Sequence, residues 1–225
     1  MNKLVLFDID KTLIKSSTGH KAAFSEAFLK IYKIDTNIDI INHHGMTDQQ
    51  VIIEVLKKNG LDEQSIKSKI KGCMKVMIES FNKIIKQDDI VVLDGVRELL
   101  KELDRNNVLM GLVTGNLEPI AKSKLKKVGL NQYFKVGGFG SDDIDRTNLV
   151  KIAIKMAEKN FDFKSKDNIF LVGDAPREIK AGKEAGVKTI GVATGIYPME
   201  ELKNSGADFV LENLKDVNGF LKIIL

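Results

Sequence analysis

Leu4-Val5-Leu6-Phe7-Asp8-Ile9-Asp10-Lys11-Thr12 places four apolar residues directly before two carboxylates two positions apart. A short continuous apolar run suits a strand buried on both faces, as in a parallel sheet. Leu109 to Val113, Ile169 to Val172, Thr189 to Val192 and Phe209 to Leu211 repeat the pattern. Phe134 to Phe139 is a weaker strand candidate, loosened by Gly137 and Gly138. Helix-spaced apolar residues fall between these runs: Val96, Leu99, Leu100 and Leu103, then Ile120, Leu125 and Val128, then Leu149, Ile152, Ala153 and Met156. Strands alternating with helices give an α/β fold with a Rossmann-like, mainly parallel sheet covered on both faces.

Residues from about 18 to 90 break this alternation, because no strand pattern appears among them. Phe24, Ala27, Phe28, Ile31 and Tyr32 fit one helix face. Val51, Ile52, Val55 and Leu56 fit a second helix, opened by the capping pair Thr47 and Gln50 and closed near Gly60. Ile66, Ile70, Cys73, Met77, Phe81 and Ile84 fit a third. An all-helical cap at 16–91 is thus expected inside a catalytic core made of 1–15 and 92–225. The linkers are placed at Lys15 to Thr18 and Asp88 to Asp94.

The 225 residues are 43% hydrophobic and 29% charged, which excludes a disordered or collagenous chain. A single cysteine, Cys73, excludes an internal disulfide framework; at helix spacing from Ile70 and Met77 it reads as a packed core thiol. The net charge of +4 is spread along the chain, so no nucleic-acid partner is expected. No apolar run approaches the roughly 20 residues of a membrane helix, so no membrane partner is expected either. The apolar run at the start is also too short for a secretory segment, and a cytoplasmic location follows as the expectation.

Three strand ends carry chemistry. Asp8 and Asp10 follow the first strand, Thr114-Gly115-Asn116 the second, and Gly173-Asp174 a later one. Taken singly, each is also what a turn or a helix cap would use. Together, at the carboxyl ends of parallel strands, they form a ligand site. Asp8, Asp10 and Asp174 would supply hard oxygen ligands for Mg²⁺, and Thr114 with nearby main-chain N–H groups would hold an anion beside it.

In this order the motifs resemble the haloacid dehalogenase-like hydrolases, in particular phosphatases with a helical cap like phosphoglycolate phosphatase. Asp8-x-Asp10-x-Thr12 is similar to the first signature of that family, Thr114 to the second, and Gly173-Asp174 with Glu178 to the fourth. The third signature is a cation, usually a lysine before proline. Here Gly140-Ser141-Asp142-Asp143-Ile144-Asp145-Arg146 occupies its place, and Arg146 is assigned the role, with Lys151 the fallback. Lys11 stands where the family has glycine, and Glu178 where aspartate is common.

The resemblance implies a Mg²⁺-dependent phosphatase acting on a small phosphorylated metabolite. Asp8 would attack phosphorus, Asp10 would serve as acid and then base, and Thr114, Gly115, Asn116 and Arg146 would hold the phosphate. Glu178 would reach the metal through water, and the cap loop residues His44 and Thr47 would read the leaving group. A hexose phosphate mutase of the same fold and a non-catalytic binder of phosphate compounds are the alternatives. Thr12 favours the hydrolase over the mutase.

Overall fold

The computed structural model describes residues 3–15, 17–165 and 167–225. Ser16 of the first expected linker lies outside the described residues, as do Met1, Asn2 and Lys166. Six strands, β1 (Leu4–Phe7), β2 (Leu109–Thr114), β3 (Val136–Phe139), β4 (Ile169–Gly173), β5 (Lys188–Val192) and β6 (Phe209–Leu211), form one sheet in the order β3-β2-β1-β4-β5-β6. All five pairings are parallel. Each strand crosses to the next through helical chain, which is what a parallel sheet demands.

Successive side chains of a strand point to opposite faces, and β1 feeds two separate apolar layers. Leu4 and Leu6 pack with helix α6 (Arg146–Phe161) through Leu149, Val150 and Ala153. Val5 and Phe7 pack toward α4 (Val96–Arg105), α5 (Glu118–Lys127) and the terminal α9 (Val217–Ile224). Helix α7 (Pro176–Glu184) lies over β4 and β5, and the short α8 (Met199–Asn204) over β5 and β6. The weak strand signal at Gly137-Gly138 has a packing cause. A Cβ on Gly138 would lie 2.1 Å from the Leu149 carbonyl, so the glycine lets α6 sit directly on the strand.

Between β1 and α4 lie three helices, α1 (Thr18–Tyr32), α2 (Asp48–Lys58) and α3 (Glu63–Ile84). Phe24, Ala27 and Phe28 of α1 and Ile66, Cys73, Met77 and Phe81 of α3 are buried in one apolar cluster. Thr47 caps α2 by accepting the Gln50 N–H at 3.2 Å. The two chain segments that join this block to the sheet run side by side: Lys15 N–H donates to Val91 O at 2.8 Å, and Leu93 N–H to Leu13 O at 3.0 Å. Among the described residues no helix is long and apolar enough to cross a membrane.

Candidate active site

The site sits at the carboxyl ends of β1, β2 and β4, where the strand order reverses on either side of β1. A cavity of about 260 Å³ opens there, lined by Asp8, Asp10, Asn116, Arg146, Asp174 and Glu178 from the sheet side and by His20, His43 and His44 from the helical block.

Arg146 occupies the centre. It is the first residue of α6, capped by Asp145. Its buried guanidinium donates to the Asp8 carboxylate and, at 3.0 Å, meets Glu178. It also reaches the Gly45 carbonyl at 3.1 Å, and its Nε has no hydrogen-bond partner among the described residues. Lys151, the fallback, is exposed on α6 and does not line the cavity.

Glu178 uses one oxygen for Arg146 and the other for the Ala175 N–H at 2.6 Å. It therefore holds the arginine and the turn that carries Asp174. Burial pushes the Asp8 carboxyl well above the ordinary range; Arg146 opposes this, and the Glu178 and Asp10 charges add to it. Asp174 is pushed up by burial and by the Glu178 and Asp8 charges.

Asp10 faces a different environment. Lys124 donates to its two oxygens at 2.9 and 2.6 Å, and the Asn116 amide to one of them at 2.8 Å. Burial alone would raise its pKa, but the Lys124 ammonium and the His20 ring hold it below the usual range. Both carboxylate oxygens of Asp10 accept hydrogen bonds, which leaves its main-chain carbonyl as the oxygen it could offer a metal.

Lys124 is the residue that sequence reading missed. It is completely buried, which a lysine tolerates only when paired. It donates to Asn116 Oδ1 at 2.6 Å and lies 3.1 Å from His20 Nδ1. An ammonium has three donors and no acceptor, so His20 Nδ1 must accept and its Nε2–H must donate. The Nε2 partner is Asp48 at 3.2 Å, which also accepts the Leu117 N–H at 2.8 Å. The signal was available: Lys124 follows Ile120 by one turn and precedes Leu125, on the buried face of α5.

Thr114 is buried, and its hydroxyl oxygen accepts the Asn116 N–H at 3.3 Å. Gly115 permits a close approach, but by the helical block: a Cβ there would lie 2.2 Å from the Met46 carbonyl, and Asp48 N–H donates to Gly115 O at 2.7 Å. Thr47, expected to read substrate, does not line the cavity. Its hydroxyl caps α2 and donates to Ile144 O at 3.2 Å. His44 does line it and meets Lys11 Nζ at 3.1 Å.

Asp8, Asp10, Asp174 and Glu178 set four carboxyls against the two buried cations Arg146 and Lys124. This acidic excess suits a divalent cation. Among the described residues no group of three or more His, Cys, Asp or Glu side chains converges on one point. A cation here would therefore rest on two carboxylates, a main-chain carbonyl and water, the sparse protein coordination that Mg²⁺ accepts.

Strand order, the helical insertion after β1 and acidic strand ends round one cavity define a doubly wound α/β protein with an aspartate-centred site. The chain belongs to the haloacid dehalogenase-like hydrolase family, whose model matches residues 5–192. It is 26% identical over 216 residues to phosphoglycolate phosphatase of Pseudomonas fluorescens, covering 95% of this chain and 77% of that one. It is also 26% identical over 219 residues to pyrophosphatase PpaX of Oceanobacillus iheyensis, covering 96% and 94%. The fold matches that of CbbY from Rhodobacter sphaeroides in complex with phosphate, with a TM-score of 0.75, 19% identity and 96% of each chain covered. A hydrolase from Pseudomonas syringae matches at 0.70, with 22% identity, over 100% and 99%.

Proposed function

We propose that the protein is a Mg²⁺-dependent phosphatase that hydrolyses a small phosphorylated metabolite through an aspartyl phosphate on Asp8. The observation that carries this reading is the pairing of Asp8 with Arg146 beside Asp174 around one cavity, the two aspartates at the ends of the adjacent strands β1 and β4 and the arginine at the start of α6. Relatives along most of the chain named for phosphoglycolate and pyrophosphate hydrolysis support it. The helices of residues 16–91 act as a cap over the sheet, residues 1–15 and 92–225.

An Asp8 carboxylate oxygen attacks phosphorus, and the bond from phosphorus to the leaving oxygen breaks. Arg146 offsets repulsion between the carboxylate and the incoming phosphate, and its unpartnered Nε–H is a donor left for the anion. Gly115 and Asn116 line the phosphate side of the cavity, and the buried Thr114 hydroxyl holds Asn116 there. Asp10, protonated as substrate binds, gives its proton to the leaving oxygen. As a carboxylate it then accepts one from the water that splits the acyl phosphate. Lys124 and Asn116 fix its orientation for both steps. Mg²⁺ would be held by Asp8, Asp174 and the Asp10 carbonyl, with Glu178 behind water, and would screen charge on the phosphate.

The test is phosphate release from a panel of small phosphate esters and anhydrides with and without chelator, repeated on Asp8→Asn. Release by the wild type alone, only with Mg²⁺, together with a hydroxylamine-sensitive acyl phosphate, supports the reading. Unchanged release by Asp8→Asn defeats it.

A further inference from the structure

Lys11, within the first motif, has a charged side chain that the chemistry above does not use. Its backbone has φ of 65°, a left-handed conformation that costs a residue with a Cβ and suits glycine. The conformation is held from both sides: Lys11 N–H donates to Ile14 O at 2.6 Å, and Thr194 Oγ1 donates to Lys11 O at 2.5 Å. A lysine kept where the backbone favours glycine points to a use for its side chain.

The side chain lines the site cavity and meets His44 Nδ1 of the cap loop at 3.1 Å. Among the described residues it makes no ion pair; the other lysine lining the cavity, Lys21, is paired with Asp39 at 2.6 Å. Burial first, and then the Lys11 charge, push the His44 imidazole down to about 4, so it stays neutral and adds no second charge beside the ammonium, which acts on the Asp174 carboxyl without an ion-pair contact. With Nδ1 accepting, the His44 proton lies on Nε2, which adds a second donor. Arg146 already serves the nucleophile end of the cavity. Lys11 instead touches the cap, on the side where a leaving group must lie. At about 260 Å³ the cavity is smaller than the usual pocket for a drug-sized ligand.

We propose that Lys11, with His44, is a specificity residue that binds a second anionic group on the leaving portion of a small substrate. Carboxylate and phosphate share this chemistry. The inference rests on the phosphatase reading above and adds to it the substrate class and the residue that selects it.

The experiment compares kcat/KM for phosphoglycolate, pyrophosphate and ethyl phosphate in wild type, Lys11→Gly and Lys11→Arg. Glycine relaxes the left-handed backbone, so Lys11→Gly removes the side chain without burdening the fold. A charge-assisted hydrogen bond of this kind corresponds to about 10–100-fold in the ratio of anionic to neutral substrate. That ratio should fall by this factor in Lys11→Gly and largely recover in Lys11→Arg. Which anionic substrate shows the larger loss identifies carboxylate or phosphate as the recognised group. Equal losses on all three substrates would assign Lys11 to the transferred phosphoryl group and overturn the proposal. So would a wild type without preference for an anionic end, or a preference untouched by Lys11→Gly. Turnover of none of the three by the wild type would overturn the phosphatase reading itself, and this inference with it.

Discussion

Replacing Lys124 with methionine keeps a similar unbranched volume, one heavy atom shorter, and removes one buried charge. Its partner Asp10 then faces Asn116 alone, although its side chain is 23% exposed while Lys124 is 0% exposed. Breaking a buried pair by removing one member costs about 3–5 kcal/mol, because the other charge stays behind. Partial hydration of Asp10 places the expected loss near the lower end, about 3 kcal/mol. For a chain of this length that corresponds to roughly 6–12 °C in Tm. Adding Asp10→Asn neutralises the stranded carboxylate and lets an amide sit against Asn116. The double variant should therefore be more stable than Lys124→Met by about 1.5–2 kcal/mol. Urea unfolding of the four proteins of the cycle in chelator, followed by far-ultraviolet circular dichroism, gives the coupling directly. Independent sites add within about 0.5 kcal/mol. Additivity at that level would mean that Lys124 and Asp10 are not coupled in solution, and the assignment of Lys124 as the group that fixes Asp10 would be lost.

Arg146→Ala should lower kcat by about 10²–10³, the usual cost of removing an electrostatic stabiliser. Arg146→Lys should recover only part of it, since a point charge cannot serve Asp8 and Glu178 together, and exposed Lys151→Ala should change little. Mg²⁺ added to chelated protein at about 100 times its Kd should stabilise it by about 2.7 kcal/mol, or roughly 5–11 °C in Tm. Asp174→Asn should shrink that shift, and an undiminished shift would move the metal elsewhere. Cys73 is fully buried and burial pushes its thiol up to about 12; iodoacetamide at pH 8 should label it only in denaturant, with mass spectrometry as the readout.

The sheet was legible because five of its strands are continuous apolar runs, and the sixth was weakened by glycines that serve helix packing. The helices α1, α2 and α3 were legible from Phe24, Val55 and Met77 and their neighbours at helix spacing. Helix α9 carried its own signal in Val217, Phe220, Leu221 and Ile224, which follow the same spacing and were not used. Asp8 and Asp174 could be placed at one site from strand ends, and Arg146 joined them only through the resemblance to the third signature. Lys124 was masked: its place one turn after Ile120 turns it inward, but Lys122, Lys126 and Lys127 surround it and the group reads as a solvated face. Its burial follows from what covers α5, namely Phe81 and His20 from another part of the chain. Gly115 lines the cavity and is also approached by the Met46 carbonyl, which its sequence neighbours did not indicate. A backbone that can be approached closely does not announce whether an anion or a neighbouring loop will come.

The register of the sheet and the geometry of the site are one constraint. Phe7 pairs with Leu112 on one side and with Val172 on the other. Asp8 is therefore level with Val113 and Gly173, and Thr114 and Asp174 stand one residue further along their strands. Side chains alternate between faces, so a slip of one residue would send Leu4 and Leu6 into the layer built for Val5 and Phe7 and would turn Asp8 away from Arg146. The apolar residues prevent that slip, because the two layers they enter differ in partners: α6 on one face, α4, α5 and α9 on the other. Four apolar side chains in β1 thus fix where a carboxylate outside the strand must stand. Substitutions in that core that preserve hydrophobicity but loosen the register would be expected to disturb the Asp8–Arg146 pair before they disturb the fold.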